Sequence, residues 1–227
     1  MPRVYTPRAR AEQSARTRER IIEAARALLP ASESLSVDRI AAEAGVSVQT
    51  LYTQFGSKRG LLLAVIDTIQ RDAGLYADFD RVWASADGET ALRRMLDATF
   101  RIWDGAWPFV AFSERARRSD REIATYLREV DGYRRSNLVS ITERLALERR
   151  LVPGLDAARA ADLAFALTVP AVYEELVQVR TWTLARATTS VVEAVCRAIV
   201  DSATAAVTEP PADWSGAVRP REVMGKA

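Results

Sequence analysis

The sequence predicts an all-α protein: an N-terminal three-helix domain built around a helix-turn-helix, then a larger C-terminal helical bundle, about nine helices in all. Three observations carry that expectation. Apolar residues recur at spacings of three and four along most of the chain. Period-two alternation is scarce, and no Asn-Gly or Asp-Gly hairpin links two apolar runs. The stretch from Ser36 to Lys58 reads as a short helix, a glycine turn, a second short helix and the start of another.

Taken in order, the first helix is predicted over about Arg10 to Leu29, with Ile21, Ile22, Ala25, Leu28 and Leu29 on one face. Pro30 and the segment Ser32 to Ser36 end it. The second runs from about Val37 to Ala44 and buries Val37, Ile40 and Ala41; Gly45 stands where the turn needs a positive φ. The third runs from about Val48 to Thr53 with Leu51 inward and Phe55 closing the core just beyond it. The fourth starts at Ser57, an N-cap residue, and continues through Leu61, Leu62, Val65, Ile66 and Ile69 to about Tyr76. Longer helices are predicted over about Glu89 to Trp103, Pro108 to Arg118, Asp120 to Arg150, Asp156 to Arg180 with Pro170 inside, and Leu184 to Ala206. The expected domains are residues 1–60, 61–206 and a disordered tail over 207–227, rich in Pro, Gly and charge.

Inventory narrows the chemistry. The 227 residues contain no histidine, which removes the commonest general base and metal ligand. Cys196 is the only cysteine, so no intramolecular disulfide forms. Neither a Gly-rich phosphate loop, a Ser-x-x-Lys pair nor a metal cluster is present. No catalytic residue, metal or cofactor is therefore expected. The longest apolar runs fall short of a membrane span, and the arginine-rich N-terminus lacks a signal-peptide core, so a cytoplasmic protein without membrane contact is expected.

Charge is unevenly spread. Residues 1–60 hold ten basic and six acidic side chains, a surplus of four, while the rest carries a deficit of two. A basic N-terminal domain suits a polyanion, although a solvated surface has the same composition. Arg3, Arg8, Arg10, Arg16 and Arg18 form either an arm for a groove or phosphates, or a basic tail giving only non-specific attraction.

A helix-turn-helix lays its second helix in the major groove, with that helix's first residues against base edges. Ser47, Val48, Gln49, Thr50, Tyr52, Thr53 and Gln54 lie mostly on the outer side. Gln49 suits adenine, Thr50 a base or a thymine methyl, and Val48 an apolar methyl contact. Tyr52 offers a hydroxyl to a phosphate. Lys58 stands at a helix N-terminus, where free N–H groups already favour an anion, and Ser36 is placed similarly at the second helix. Only two of 32 basic residues are lysine, Lys58 and Lys226, so the body carries one compact ammonium, and it falls at this junction.

The runs Ile40-Ala41-Ala42-Glu43-Ala44-Gly45-Val46-Ser47 and Thr50-Leu51-Tyr52-Thr53-Gln54-Phe55-Gly56-Ser57-Lys58-Arg59-Gly60-Leu61 resemble the N-terminal domain of the tetracycline-repressor (TetR) family of transcriptional regulators in order and spacing. The resemblance implies Tyr52 and Lys58 as phosphate contacts and Val48, Gln49 and Thr50 as base-edge candidates. Two positions depart from the pattern: Gln54 replaces a frequent histidine, and Arg59 a frequent acid.

The resemblance also implies a homodimer through the last two helices, whose apolar stripes include Leu163, Leu167, Val172, Leu176 and Val179, and Val191, Val195 and Ile199. Ten of 17 aromatics fall between Phe100 and Trp182, either as plain core or as the lining of a cavity for a small apolar or aromatic effector. Trp103, Trp107, Phe112, Tyr133 and Tyr173 are the lining candidates, with Asn137 and Glu174 as polar orienting groups. The expected function is a ligand-responsive repressor binding a palindromic double-stranded DNA operator. The alternative is a constitutive DNA-binding dimer without a small-molecule effector.

Overall fold

A computed structural model describes residues 7–32, 34, 36–72 and 74–201. Among these residues it contains ten α-helices and no strand beyond an isolated bridge between Leu151 and Val200. They form two compact units. One comprises the described residues up to Ile69 with Pro108–Leu127; the other comprises Gln70–Trp107 and the described residues from Arg128.

The first unit starts with α1 (Pro7–Leu28). A single 3-10 turn over Leu29–Ala31 follows, with Pro30 where its missing N–H costs nothing. Next come α2 (Val37–Glu43), α3 (Val48–Phe55) and, as far as Ile69, α4 (Lys58–Asp72). Ile21, Ala25, Leu29, Ile40, Leu51, Leu61 and Val65 are buried together with Phe112, Ala116 and Ile123 from the later segment of the unit. Phe55 lies on α3 itself, two residues beyond the expected end of that helix.

The second unit holds α5 (Leu75–Trp83), most of α6 (Gly88–Ala116) and α7 (Arg121–Leu147), then α8 (Ala157–Ala166), α9 (Pro170–Tyr173) and α10 (Leu184–Ile199). One turn of wider π-type winding, Glu174–Val179, follows α9. Arg144, fully buried, ties the start of α6 to the end of α7. Its Nε donates to Glu148 Oε1 at 2.7 Å, and its two terminal nitrogens donate to the Ser85 and Ala86 carbonyls at 3.0 and 2.6 Å. The Glu148 carboxylate in turn accepts the Gly88 N–H at 2.9 and 3.1 Å, so every charged atom of the pair has a partner.

Three expectations are corrected. The fourth helix stops at Asp72, and Gly74, at φ 70°, lets the chain restart as α5, a helix the spacing did not announce. The segments Glu89 to Trp103 and Pro108 to Arg118 are one helix, α6, which passes through Pro108. Proline there deletes one backbone hydrogen bond, but burial of Phe109, Val110 and Phe112 just beyond it holds the helix together. Pro170 does not sit inside a helix; it opens α9, where its fixed φ is already helical. These breaks raise the expected nine helices to ten. The expected tail over residues 207–227 lies outside the described residues, as does Arg3. No described helix is long and apolar enough to cross a membrane.

Candidate nucleic-acid interface

The site grows from two capped helices and the turn between them. Ser36 caps α2: its hydroxyl accepts the Arg39 N–H at 3.3 Å. At the other end Gly45, at φ 64°, sends its N–H to Ala42 O at 3.1 Å, and Val46 sends its N–H to Ala41 O at 2.9 Å. This paired closure stops a helix sharply and needs the left-handed residue that glycine supplies. The chain then re-enters a helix at once. Ser47 caps α3 by accepting the Thr50 N–H at 3.1 Å, and the Ser47 and Thr50 hydroxyls bond each other at 2.8 Å.

On α3 the two faces separate cleanly. Leu51 is 0% exposed and Phe55 9%, whereas Tyr52 is 42% exposed. Gln49 and Thr53 are exposed beside it, and Val48 and Thr50 are half-buried. The Thr53 hydroxyl is turned back onto Gln49 O at 2.8 Å, leaving the Gln49 amide and the Tyr52 phenol as the reaching groups of the outer face.

Contacts from α1, which the sequence reading missed, anchor the C-terminal end of α3. Arg18 donates to Gln54 O at 2.9 Å, and its guanidinium carbon lies 4.4 Å from the centre of the Phe55 ring. The Gln54 side chain donates to Ser14 Oγ at 3.0 Å. Ser14 and Arg18 are four residues apart and so share one face of α1. That spacing was the available signal, but nothing local names Gln54 as the partner.

Past α3, Gly56 (φ 72°, ψ −47°) makes a tight three-residue turn, with Ser57 N–H on Phe55 O at 2.8 Å. Ser57 then accepts the Gly60 N–H at 3.0 Å and caps α4 as expected. Lys58, first residue of α4, is half-buried, and its ammonium bonds Asp120. Asp120 also caps α7, its Oδ1 accepting the Glu122 and Ile123 N–H groups at 3.0 and 3.2 Å. Burial alone would raise the Asp120 carboxyl. The hydrogen bond and charge of Lys58, with those two amides, outweigh burial and hold it below the ordinary carboxylate range.

The candidate effector residues divide between the units: Phe112 is buried in the first, and the other six belong to the second. There Trp107 and Tyr173 meet with ring centres 4.9 Å apart. The Tyr173 hydroxyl donates to Asp104 at 2.7 Å and accepts from Gln178 at 3.1 Å. Burial and the Asp104 contact push the Tyr173 phenol up to about 12, against the opposing Gln178 bond. Trp103 Nε1 donates to Thr168 O at 3.2 Å. The Arg134 guanidinium lies 5.0 Å from the Trp103 ring and 4.7 Å from Phe165. Asn137 is buried, while Tyr133 and Glu174 are exposed. Asp104 and Arg134, the polar groups that engage these rings, were not singled out from sequence.

Residues 21–65 match the family model of bacterial regulatory proteins, tetR family. No curated protein matches the chain. Among solved structures, NalD of Pseudomonas aeruginosa, the secondary repressor of the MexAB-OprM multidrug efflux pump, aligns with a TM-score of 0.66 at 20% identity, over 84% of this chain and 99% of its own. The transcriptional regulator FadR from Bacillus subtilis, in complex with stearoyl-CoA, gives 0.63 at 21% identity, over 80% and 98%. The ketosteroid transcriptional regulator KstR2 of Mycobacterium tuberculosis gives 0.58 at 17%, over 82% and 95%. At these identities the likeness is one of fold.

Proposed function

We infer, from the premise that this chain is a DNA-binding transcriptional regulator carrying the tetR-family domain, that it acts as a homodimeric repressor released from a palindromic operator by a small apolar or aromatic ligand. The observation that carries the DNA part is the division of α3: Leu51 and Phe55 are sealed inward while Gln49 and Tyr52 stand in solvent. A helix so placed, entered through a capped turn, presents its N-terminal residues as a groove-reading element does. Tyr52 takes a phosphate, Lys58 takes another at the N-terminus of α4, and Val48, Gln49 and Thr50 meet base edges.

The ligand part rests on the ring cluster around Trp107 and Tyr173 in the second unit and on the stearoyl-CoA bound by the similar FadR. A ligand favouring one spacing of the two recognition helices lowers operator affinity through the difference in its affinity for the two states. The same cluster supports the constitutive reading as well. Trp103 and Tyr173 already have partners for their polar atoms, as core residues do.

Gel-shift titration on an inverted repeat from the DNA upstream of the gene tests both parts. Lys58→Ala and Tyr52→Phe each weaken binding to every duplex by about 10- to 150-fold, the cost of one charge-assisted contact, while Thr50→Ala changes the sequence preference. Wild-type affinity in both phosphate-contact variants contradicts the assignment. Adding stearoyl-CoA to the bound complex tests one effector: release supports an effector-responsive repressor, and an unaltered shift excludes this acyl-CoA as the ligand.

A further inference from the structure

We propose that Asp120 is a built-in competitor of the DNA backbone for Lys58 and so sets how tightly the protein grips any duplex. The proposal rests on the DNA-binding reading above.

Lys58 is one of two lysines in the chain, and the other, Lys226, lies outside the described residues. It opens α4, where the positive end of the helix dipole adds to the pull on an anion. In the structure the anion that its ammonium meets is the Asp120 carboxylate, 62 residues away in sequence and in the same compact unit. The pair is partly shielded, with side-chain exposures of 25% for Lys58 and 11% for Asp120, so water screens it incompletely.

Asp120 is not free to follow Lys58 outward. Its Oδ1 is committed to the Glu122 and Ile123 amides at the head of α7, and only Oδ2 faces the ammonium. A phosphate approaching Lys58 therefore meets a fixed carboxylate of the same sign. Either the ammonium swings away from Asp120 on its four-carbon stem, or two anions share it at the cost of their mutual repulsion. Both routes subtract from the gain of the phosphate contact. The segment around Asp120 also makes the pairing selective: Arg117, Arg118 and Arg121 flank it, yet the carboxylate bonds the lysine of the DNA-binding unit.

Full-length wild type, Asp120→Asn, Lys58→Ala and the double variant are compared on a mixed-sequence duplex of roughly 30 base pairs, about three helical turns, across a salt series. Asn keeps the capping oxygen and drops the charge; Asp120→Ser does the same with a different side chain and stands in if the Asn variant misfolds. The expected result is roughly three- to tenfold tighter binding by Asp120→Asn at low salt, with the salt slope steeper by about 0.9 for each Lys58 released to a phosphate. In the Lys58→Ala background the same substitution changes affinity less than about twofold, because the competed group is gone. Asp120→Glu, which keeps the charge, retains the wild-type slope.

Unchanged or weaker binding by Asp120→Asn overturns the proposal and makes Asp120 a support that presents Lys58. An equal gain with and without Lys58 overturns it too, by showing mere removal of a negative charge near DNA. Those outcomes leave the DNA-binding reading standing. Wild-type protein that ignores the duplex at low salt sinks that reading, and the competition with it.

Discussion

At the scale of single residues, chemistry legible in the sequence is already partly spent in the fold. Thr50 offers either a hydroxyl to a base or a methyl to a thymine, and in the structure that hydroxyl bonds Ser47 at 2.8 Å. Its methyl is the part left for a thymine if α3 enters a groove, while Ser47 and Thr50 together fix the start of α3. Cys196 is a plainer case. Buried on α10, its thiol is pushed up to about 11, chiefly by desolvation, with Arg93 opposing and Glu89 and Glu193 adding to the rise. A raised value means the fold favours the neutral thiol. Its contribution to stability is whole below the unfolded-state value and is lost as pH climbs through about 11. At pH 8 the thiolate fraction is then about two orders of magnitude below that of an exposed cysteine. A chromogenic disulfide reagent should react with native protein at least that much more slowly than with protein unfolded in guanidinium. Equal rates in the two states would place Cys196 at the surface.

At the scale of elements, the legible features had local causes. The Ser57 cap and the turn glycine at 45 stand where the spacing placed them, and the caps at Ser36 and Ser47 likewise act within four residues of themselves. Prolines misled because their effect depends on what flanks them: Pro108 is carried through α6 by buried rings, whereas Pro170 opens a new helix. The contacts of Arg18 with Gln54 and of Lys58 with Asp120 span 36 and 62 residues, and no local pattern encodes such pairs.

Gly60 carries a prediction that helix propensity alone gets wrong. A methyl there would stand 2.0 Å from the Phe55 carbonyl oxygen, which the Gly56 turn directs at the first turn of α4. Gly60→Ala should cost about 1–3 kcal/mol, as overpacking does, although alanine is the better helix former by about 1 kcal/mol. Gly132→Ala, in α7 with nothing within 4 Å of the added methyl, should instead stabilise by about 0.5–1 kcal/mol. Thermal melts followed by circular dichroism read both signs. Stabilisation at both positions would mean that the α3–α4 turn yields freely.

At the scale of the whole molecule, the sequence showed a basic N-terminal segment on a slightly acidic remainder, but it gave no sign that Pro108–Leu127 packs with the first unit. Membership of a core depends on three-dimensional neighbours, and the helical spacing of those residues is the same in either unit. Association is the last property at this scale. Leu163 on α8 and Leu167, the residue that caps its C-terminus, are 42% and 38% exposed, and Val179 is 59% exposed. Single exposed leucines are ordinary, but these three apolar residues lie in the segment expected to pair with a second copy, where a dimer would cover them. Two carboxylates placed there would have to be desolvated for the same contact to form. Leu163→Glu combined with Leu167→Glu should therefore convert a dimer of two 25.1 kDa chains into a monomer by sedimentation, with the helical signal intact. Two linked recognition helices gain about a hundredfold or more in affinity over one from their effective concentration. The double variant should lose about that much on an inverted repeat and far less on a single half-site. This pattern is distinct from loss of a phosphate contact, which weakens both duplexes alike. A double variant that stays dimeric would move the interface off α8.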